Sequence, residues 1–207
     1  MHRYLYICIG IISLGCFLWM SFNYDSVFVS RIDSWLIRHI QQLESDYWTG
    51  VMKVITYIGS KPIVIFIVMV IAICFLLFKH YREMAMLIVA VAGSAVLNHY
   101  LKQLFTRARP DIHPLITETG YSFPSGHSMN AFTLFGIMTV LLWTFLPSRV
   151  GRSVLVGFSL FMIIVIGLSR IYLGVHYPSD VIAAYLASCT WICLVIFVAS
   201  LKQSLND

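Results

Sequence analysis

Six apolar runs, at positions 4–22, 62–78, 84–105, 128–146, 154–168 and 180–201, take up most of a chain of 207 residues. A helix needs about 20 residues to cross the hydrocarbon of a bilayer. Runs of this length leave no material for a separate soluble domain. Composition agrees: 59% of the residues are hydrophobic and 11% charged, where soluble domains carry about 25% charged residues. A soluble globular fold is excluded. So is disorder, because disordered chains are poor in apolar residues. The expected fold is all-α and integral to the membrane: a six-transmembrane-helix bundle, forming a single domain over 1–207.

The first run follows Arg3 and resembles the start of a signal peptide. It is longer than a usual signal core, and no small-residue cleavage site follows it, so an uncleaved first span is expected. The five cysteines, Cys8, Cys16, Cys74, Cys189 and Cys193, all fall inside apolar runs and read as small buried hydrophobes. Cys189 and Cys193 are one helical turn apart, but no histidine or carboxylate joins them at metal-ligand spacing. No metal and no cofactor is expected.

The formal net charge is +5. The positive-inside rule explains this better than nucleic-acid binding does. With a cytoplasmic N-terminus, Arg3, Lys79, Arg82, Arg149, Arg152 and Lys202 fall on the inner side, against only Glu83 and Asp207. On the outer side, Arg31, Arg38, Lys53 and Lys61 are matched by Asp25, Asp33, Glu44 and Asp46. Both termini are therefore expected in the cytoplasm of a multi-pass plasma-membrane protein. Lys102, Arg107, Arg109 and Arg170 break the rule by lying outside, and need another explanation.

Between the first and second spans, Ile32, Trp35, Leu36, Ile40 and Leu43 recur at helical spacing, with Arg31, Asp33, Arg38 and Gln41 among them. This predicts an interfacial amphipathic helix, with Trp35 and Trp48 suited to the headgroup zone. A cap packed on the bundle is the other reading.

Three polar stretches lie at the outer ends of the later spans. Lys102 and Arg109 are seven apart, so a helix running on to Pro110 would project both from one face. Pro110 would end it, because the residue before a proline is disfavoured in the α region. Two such cations suggest an anion site, the alternative being that they snorkel to lipid headgroups. Next, Pro124, Ser125, Gly126 and His127 open the fourth span. Ser125 is a preferred N-cap, and free N–H groups at a helix start attract phosphate. Gly126 lets that backbone come close to an anion, and His127 stands beside it. Third, Arg170 closes the fifth span, His176 precedes Pro178, and Asp180 lies in the first turn of the sixth. A carboxylate there can accept from one imidazole nitrogen and leave the other free to attack. Ionisable residues at membrane depth are costly without a partner, and their gathering on one face points to function.

Taken together, Lys102, Arg109 and Pro110, then Pro124 to His127, then Ser169, Arg170, His176 and Asp180 resemble the three-part signature of the type-2 phosphatidic acid phosphatase superfamily. The motifs occupy roughly residues 102–180, and the six-span layout extends the similarity to the small bacterial membrane members. The resemblance implies a metal-independent phosphatase acting through a phosphohistidine. His176 would be the nucleophile and Asp180 its orienting carboxylate. His127 would protonate the leaving oxygen and then activate water. Lys102, Arg109 and Arg170 would neutralise the phosphoryl oxygens, helped by Ser125 and Gly126. Arg107 falls outside the signature and reads as a headgroup contact. Asp111, His113 and Glu118 read as solvated loop residues. His99 reads as a structural histidine, with a supporting hydrogen-bond donor as the alternative.

The resemblance implies a lipid phosphate or pyrophosphate substrate drawn from the bilayer: undecaprenyl pyrophosphate, phosphatidylglycerol phosphate or phosphatidic acid. Neither a nucleic acid nor a protein partner is implied. A lipid phosphotransferase would need the same first half-reaction. A non-catalytic lipid-phosphate binder or transporter would need the cations but not the pair of histidines.

Overall fold

The computed structural model describes residues 2–204 and the side chains of residues 4–201. Arg3 and Lys202 lie outside the described side chains, and Asp207 outside the described residues. The described residues form eight helices: α1 (His2–Asn23), α2 (Val27–Gln41), α3 (Asp46–Ile58), α4 (Lys61–Leu77), α5 (Tyr81–Phe105), α6 (Gly126–Trp143), α7 (Arg149–Tyr172) and α8 (Pro178–Ser204).

Four of them, α1, α5, α7 and α8, are long and apolar enough to cross a membrane. The pair α3 and α4, bent by 48° where they meet, makes a fifth candidate. Length and composition thus support four or five spans, where the apolar runs suggested six. α4 has only 17 residues of its own. α6 has 18, and its first turns hold His127, Ser128 and Asn130, which lower its hydropathy.

The segment before α4 holds two helices where one was expected. Ser26 caps α2 by accepting from the Val29 amide, and Ser45 caps α3 by accepting from the Trp48 amide, each satisfying an amide that has no partner within its helix. α2 is two-sided. Val29, Asp33 and Ile37 face inward and are buried, while Ile32 and Trp35 are exposed, as is Leu43 just beyond the helix. Ile32 and Trp35 thus lie on its outer side, while Ile40 of the same predicted stripe packs against the bundle. A second stripe, with a carboxylate at its centre, docks against α7 and α8 through Ile37, Ile171 and Val181.

α6 lies in the middle of the bundle, packed by α5, α7 and α8, and α1 lies along α8. Small residues set the close crossings, as is usual where lipid removes the hydrophobic drive for helix association. A Cβ on Gly93 would come within 2.2 Å of the Trp191 ring, and one on Gly167 within 1.9 Å of the Tyr185 hydroxyl. That hydroxyl donates to the Ile163 carbonyl at 2.7 Å.

The ends of α5, α6, α7 and α8 converge beneath an irregular segment, residues 106–125. The segment is tied down by backbone bonds: Ser122 N–H to the Arg107 carbonyl at 2.8 Å and Leu115 N–H to the Leu173 carbonyl at 3.0 Å. Gln41 of α2 donates to the His113 carbonyl at 2.8 Å. Gly174 turns the chain between α7 and α8 at φ +69°, and a Cβ there would lie 2.3 Å from that same carbonyl.

Candidate active site

Lys102 and Arg109 reach the site by a different route from the one their spacing suggested. α5 stops at Phe105, and Thr106 caps it in the left-handed region at φ 45°, an uncommon conformation for a β-branched residue. Arg109 is therefore not on the helix face that carries Lys102. It hangs from the irregular segment, which folds back over the helix ends. Both still line one cavity of about 410 Å³, together with Glu118, Gly126, His127 and His176. Lys102 Nζ donates to the Tyr121 carbonyl.

Arg109 is held by its surroundings. Nε donates to the Gly120 carbonyl at 3.0 Å, Nη2 to Thr119 at 2.9 Å and Nη1 to Val175 at 2.9 Å. Nη1 also lies 3.1 Å from His176 Nε2. A guanidinium can only donate, so Nε2 is the acceptor and carries no proton. The hydrogen of the neutral ring then sits on Nδ1, which faces Ser122 Oγ at 3.2 Å and Asp180 Oδ2 at 3.4 Å. Ser122 in turn donates to Asp180 Oδ2 at 2.5 Å. The single lone pair of the neutral ring, on Nε2, is therefore held by Arg109, which itself lines the cavity. Burial pushes the His176 pKa down to about 4 against the opposing pull of Asp180, with Arg170 and Arg109 adding to the depression.

Asp180 is fully buried and fully engaged. Oδ2 also accepts from the Tyr177 amide at 2.9 Å. Oδ1 accepts from Arg107 Nη1 at 2.6 Å. Arg107 is thus not a headgroup contact. It is buried, with its guanidinium over the rings of Tyr24 and Tyr177 at 4.8 and 4.0 Å. Its other nitrogen donates to Asp33 Oδ2 at 3.0 Å. Asp33 completes the group by accepting from the Ser179 amide at 2.9 Å and the Ser179 hydroxyl at 2.5 Å. It caps α8 from another helix.

Ser125 and Arg170 lie at the edge of the cavity rather than on its wall. The Ser125 hydroxyl is buried and accepts from the Ser128 amide and hydroxyl at 3.4 and 2.9 Å. Its side chain is used as a cap, leaving the backbone near Gly126 to face the cavity. Asn98 packs there, with Oδ1 3.1 Å from where a Gly126 Cβ would be. Arg170 donates to Thr56 Oγ1 at 2.7 Å and to Glu118 Oε1 at 2.5 Å. Glu118 also lies 4.0 Å from Arg109, so its carboxylate bridges two cations and is not a solvated loop group. Burial raises its pKa, but Arg170 and its neighbours outweigh that and hold it below the usual range.

His113 does lie at the surface, paired with Glu44 at 3.0 Å. His99 is exposed at the cavity rim and is not buried. Sequence reasoning gave no role to Ser122, Asp33 or Asn98. The only local signal for any of them was a carboxylate on the helical stripe of α2.

The three polar stretches thus meet around one cavity, and all three fall within residues 83–203, which match the family model described as the PAP2 superfamily. The chain belongs to the PAP2 superfamily. Among curated PAP2-like relatives, the phosphatidylglycerophosphatase B of Bacillus subtilis is 31% identical over 137 residues, covering 65% of this chain and 67% of that one. An undecaprenyl-diphosphatase of Sulfolobus acidocaldarius is 32% identical over 128 residues, covering 56% of this chain and 55% of that one. The crystal structure of a transmembrane PAP2-type phosphatidylglycerolphosphate phosphatase from Bacillus subtilis superposes with a TM-score of 0.86 at 23% identity, over 94% of this chain and 96% of that one. The chain therefore has the fold of that PAP2 structure.

Proposed function

We propose that the protein is a membrane lipid phosphatase that hydrolyses a lipid phosphate or pyrophosphate through a phosphohistidine, without a metal. One observation carries the lipid part of this reading. The polar cavity shares Lys61, Ala95 and Asn130 with a second cavity of about 350 Å³. That cavity is lined by apolar side chains of α4 and α5, among them Val64, Val68, Ile88 and Val91. A phosphate at the cationic end places the tail of the same molecule in the apolar groove.

The chemistry then follows from the residues. Arg109 Nη1 turns from His176 Nε2 to the incoming phosphoryl oxygens; the freed Nε2 attacks phosphorus, and the bond from phosphorus to the lipid oxygen breaks. His127, in its protonated form, gives that oxygen a proton. Water next attacks the phosphohistidine while His127 takes a proton from it, which releases phosphate and restores neutral His176. Lys102 and Arg109 neutralise the phosphoryl oxygens, as phosphoryl transfer chiefly requires, and the Gly126 backbone offers helix-start donors. Arg170 joins them once the Glu118 carboxylate gives way to the incoming anion.

The favoured substrates are undecaprenyl pyrophosphate, phosphatidylglycerol phosphate and phosphatidic acid. The names of the relatives support the first two. We place both termini in the cytoplasm, with six spans (α4 and α6 included) and an outward-facing cavity. That favours the polyprenyl carrier. The test is phosphate release in detergent from these three lipids and a soluble phosphate ester, with and without EDTA. The expected result is release from at least one lipid, unchanged by EDTA. A strict magnesium requirement, or preference for the soluble ester, would overturn the reading.

A further inference from the structure

Arg107 and Asp33 form a buried group outside the cavity, and the chemistry above does not use them. Neither lines the cavity. Burying an arginine between two carboxylates is expensive unless the geometry is close and the polar atoms are met. Here both terminal nitrogens are met, Nη1 by Ser179 and Asp180 and Nη2 by Tyr24 and Asp33. Asp33 and Asp180 are 1% and 0% exposed, and Arg107 bridges them at 3.0 and 2.6 Å. The Arg107 fork takes Oδ1 of Asp180 and leaves Oδ2 for Ser122 and His176. A carboxylate can present either oxygen to a partner, so fixing one oxygen fixes the other. Asp33 occupies the other arm of the fork and, by accepting from Ser179 N–H and Oγ, also fixes the first turn of α8, which carries Asp180.

We propose that Arg107 and Asp33 are positioning residues for phosphoryl transfer: together they brace Asp180 from α2, so that the interfacial helix is part of the catalytic apparatus. The proposal rests on the reading of His176 and Asp180 as the nucleophile pair. It explains why α2 has a carboxylate in the middle of its inward stripe. It also explains why a cation outside the signature is more deeply placed than the signature cation Arg109.

The experiment compares wild type, Asp33→Asn, Arg107→Lys, Arg107→Met, Asp180→Asn and the Arg107→Met/Asp180→Asn double variant. Each is purified in detergent, checked for folding by its thermal melt, and assayed on the lipid phosphate that the wild type hydrolyses. Arg107→Met is expected to lower kcat about 100-fold with KM within about threefold, and to add less than about threefold to the loss in Asp180→Asn, as residues acting as a unit do. Asp33→Asn keeps the cap acceptor but removes the charge, and its kcat should fall about tenfold. Arg107→Lys keeps the charge without the fork, and should recover only part of the loss.

The proposal is overturned if Arg107→Met turns over within twofold of wild type. It is equally overturned if its loss multiplies in full on the Asp180→Asn background, which is what a residue that merely supports folding would give. Should Arg107→Met fail to fold, Asp33→Asn and Arg107→Lys, each with and without Asp180→Asn, decide by the same criterion.

A wild type that releases phosphate from no lipid would sink the functional reading instead. The brace is then judged by the NMR titration of His176 in labelled protein, where Arg107→Met should raise the His176 pKa by at least about half a unit. The other charged or titratable groups around that ring are unchanged: Lys102 of α5, Arg109 and Glu118 of the irregular segment, His127 of α6, Arg170 of α7 and Asp180 of α8. An unmoved titration would count against the brace.

Discussion

Three neighbours and burial set the resting state of His176. Arg109 fixes the tautomer, Ser122 and Asp180 hold the protonated edge, and burial keeps the ring neutral down to about pH 4. Neutral imidazole is the attacking form, so the acid limb of kcat/KM is expected near pH 4 rather than near the ordinary 6.5. A limb near 6.5 that persists with a substrate whose phosphate does not titrate there would count against His176 as the nucleophile. The same shift links to stability. The folded state binds fewer protons than the unfolded chain between these values, so stability is fully present above about 6.5 and is lost as pH falls toward about 4. In His176→Gln, which has no turnover on this reading, melts recorded between pH 6.5 and 4 should show a shallower loss. Ser122→Ala removes a hydrogen bond to a buried carboxylate. It should lower kcat roughly 10- to 100-fold with KM little changed, since such bonds are worth about 1.5–3 kcal/mol. An equal loss in KM would mean that Ser122 binds substrate instead.

At the level of elements, the polar stretches were legible because each carries its own local logic: a helix end, a capped helix start, a histidine one turn before a carboxylate. What was hidden depended on residues far apart in the chain. Asp33 and Arg107 are 74 positions apart, and read singly they are a surface acid and a headgroup cation. The end of α5 was misplaced for a different reason. Thr106 adopts a left-handed cap without the glycine that usually announces one, so Pro110 seemed the natural stop. α3 was missed because α2 and α3 share one amphipathic stretch, broken only by short polar caps. The crossings of α7 and α8 depend on an absent side chain. Gly167→Ala would drive a methyl into the Tyr185 hydroxyl and break its bond to Ile163. Overpacking of this kind costs about 1–3 kcal/mol, and a lowered melting temperature in detergent would register it. An unchanged melt would mean that the Tyr185 hydroxyl gives way without cost.

For the whole molecule, the arrangement of charge separates two roles that composition alone runs together. Lys79, Arg82 and Arg149 are exposed and Arg152 is half-buried, whereas Arg107, Arg109 and Arg170 are gathered at one end and paired or aimed into a cavity. Orientation can be read by cysteine labelling in a background without the native cysteines. Asp111→Cys should react with an impermeant maleimide added outside intact cells, and Arg149→Cys only after permeabilisation. The reverse pattern would turn the cavity toward the cytoplasm and remove the preference for the polyprenyl carrier. The apolar groove between α4 and α5 has one more consequence. A substrate that enters sideways from the bilayer never passes through bulk water, so encounter is a two-dimensional search. The rate in mixed micelles should then follow the mole fraction of substrate in the surface and fall on dilution with neutral detergent, even at constant bulk concentration.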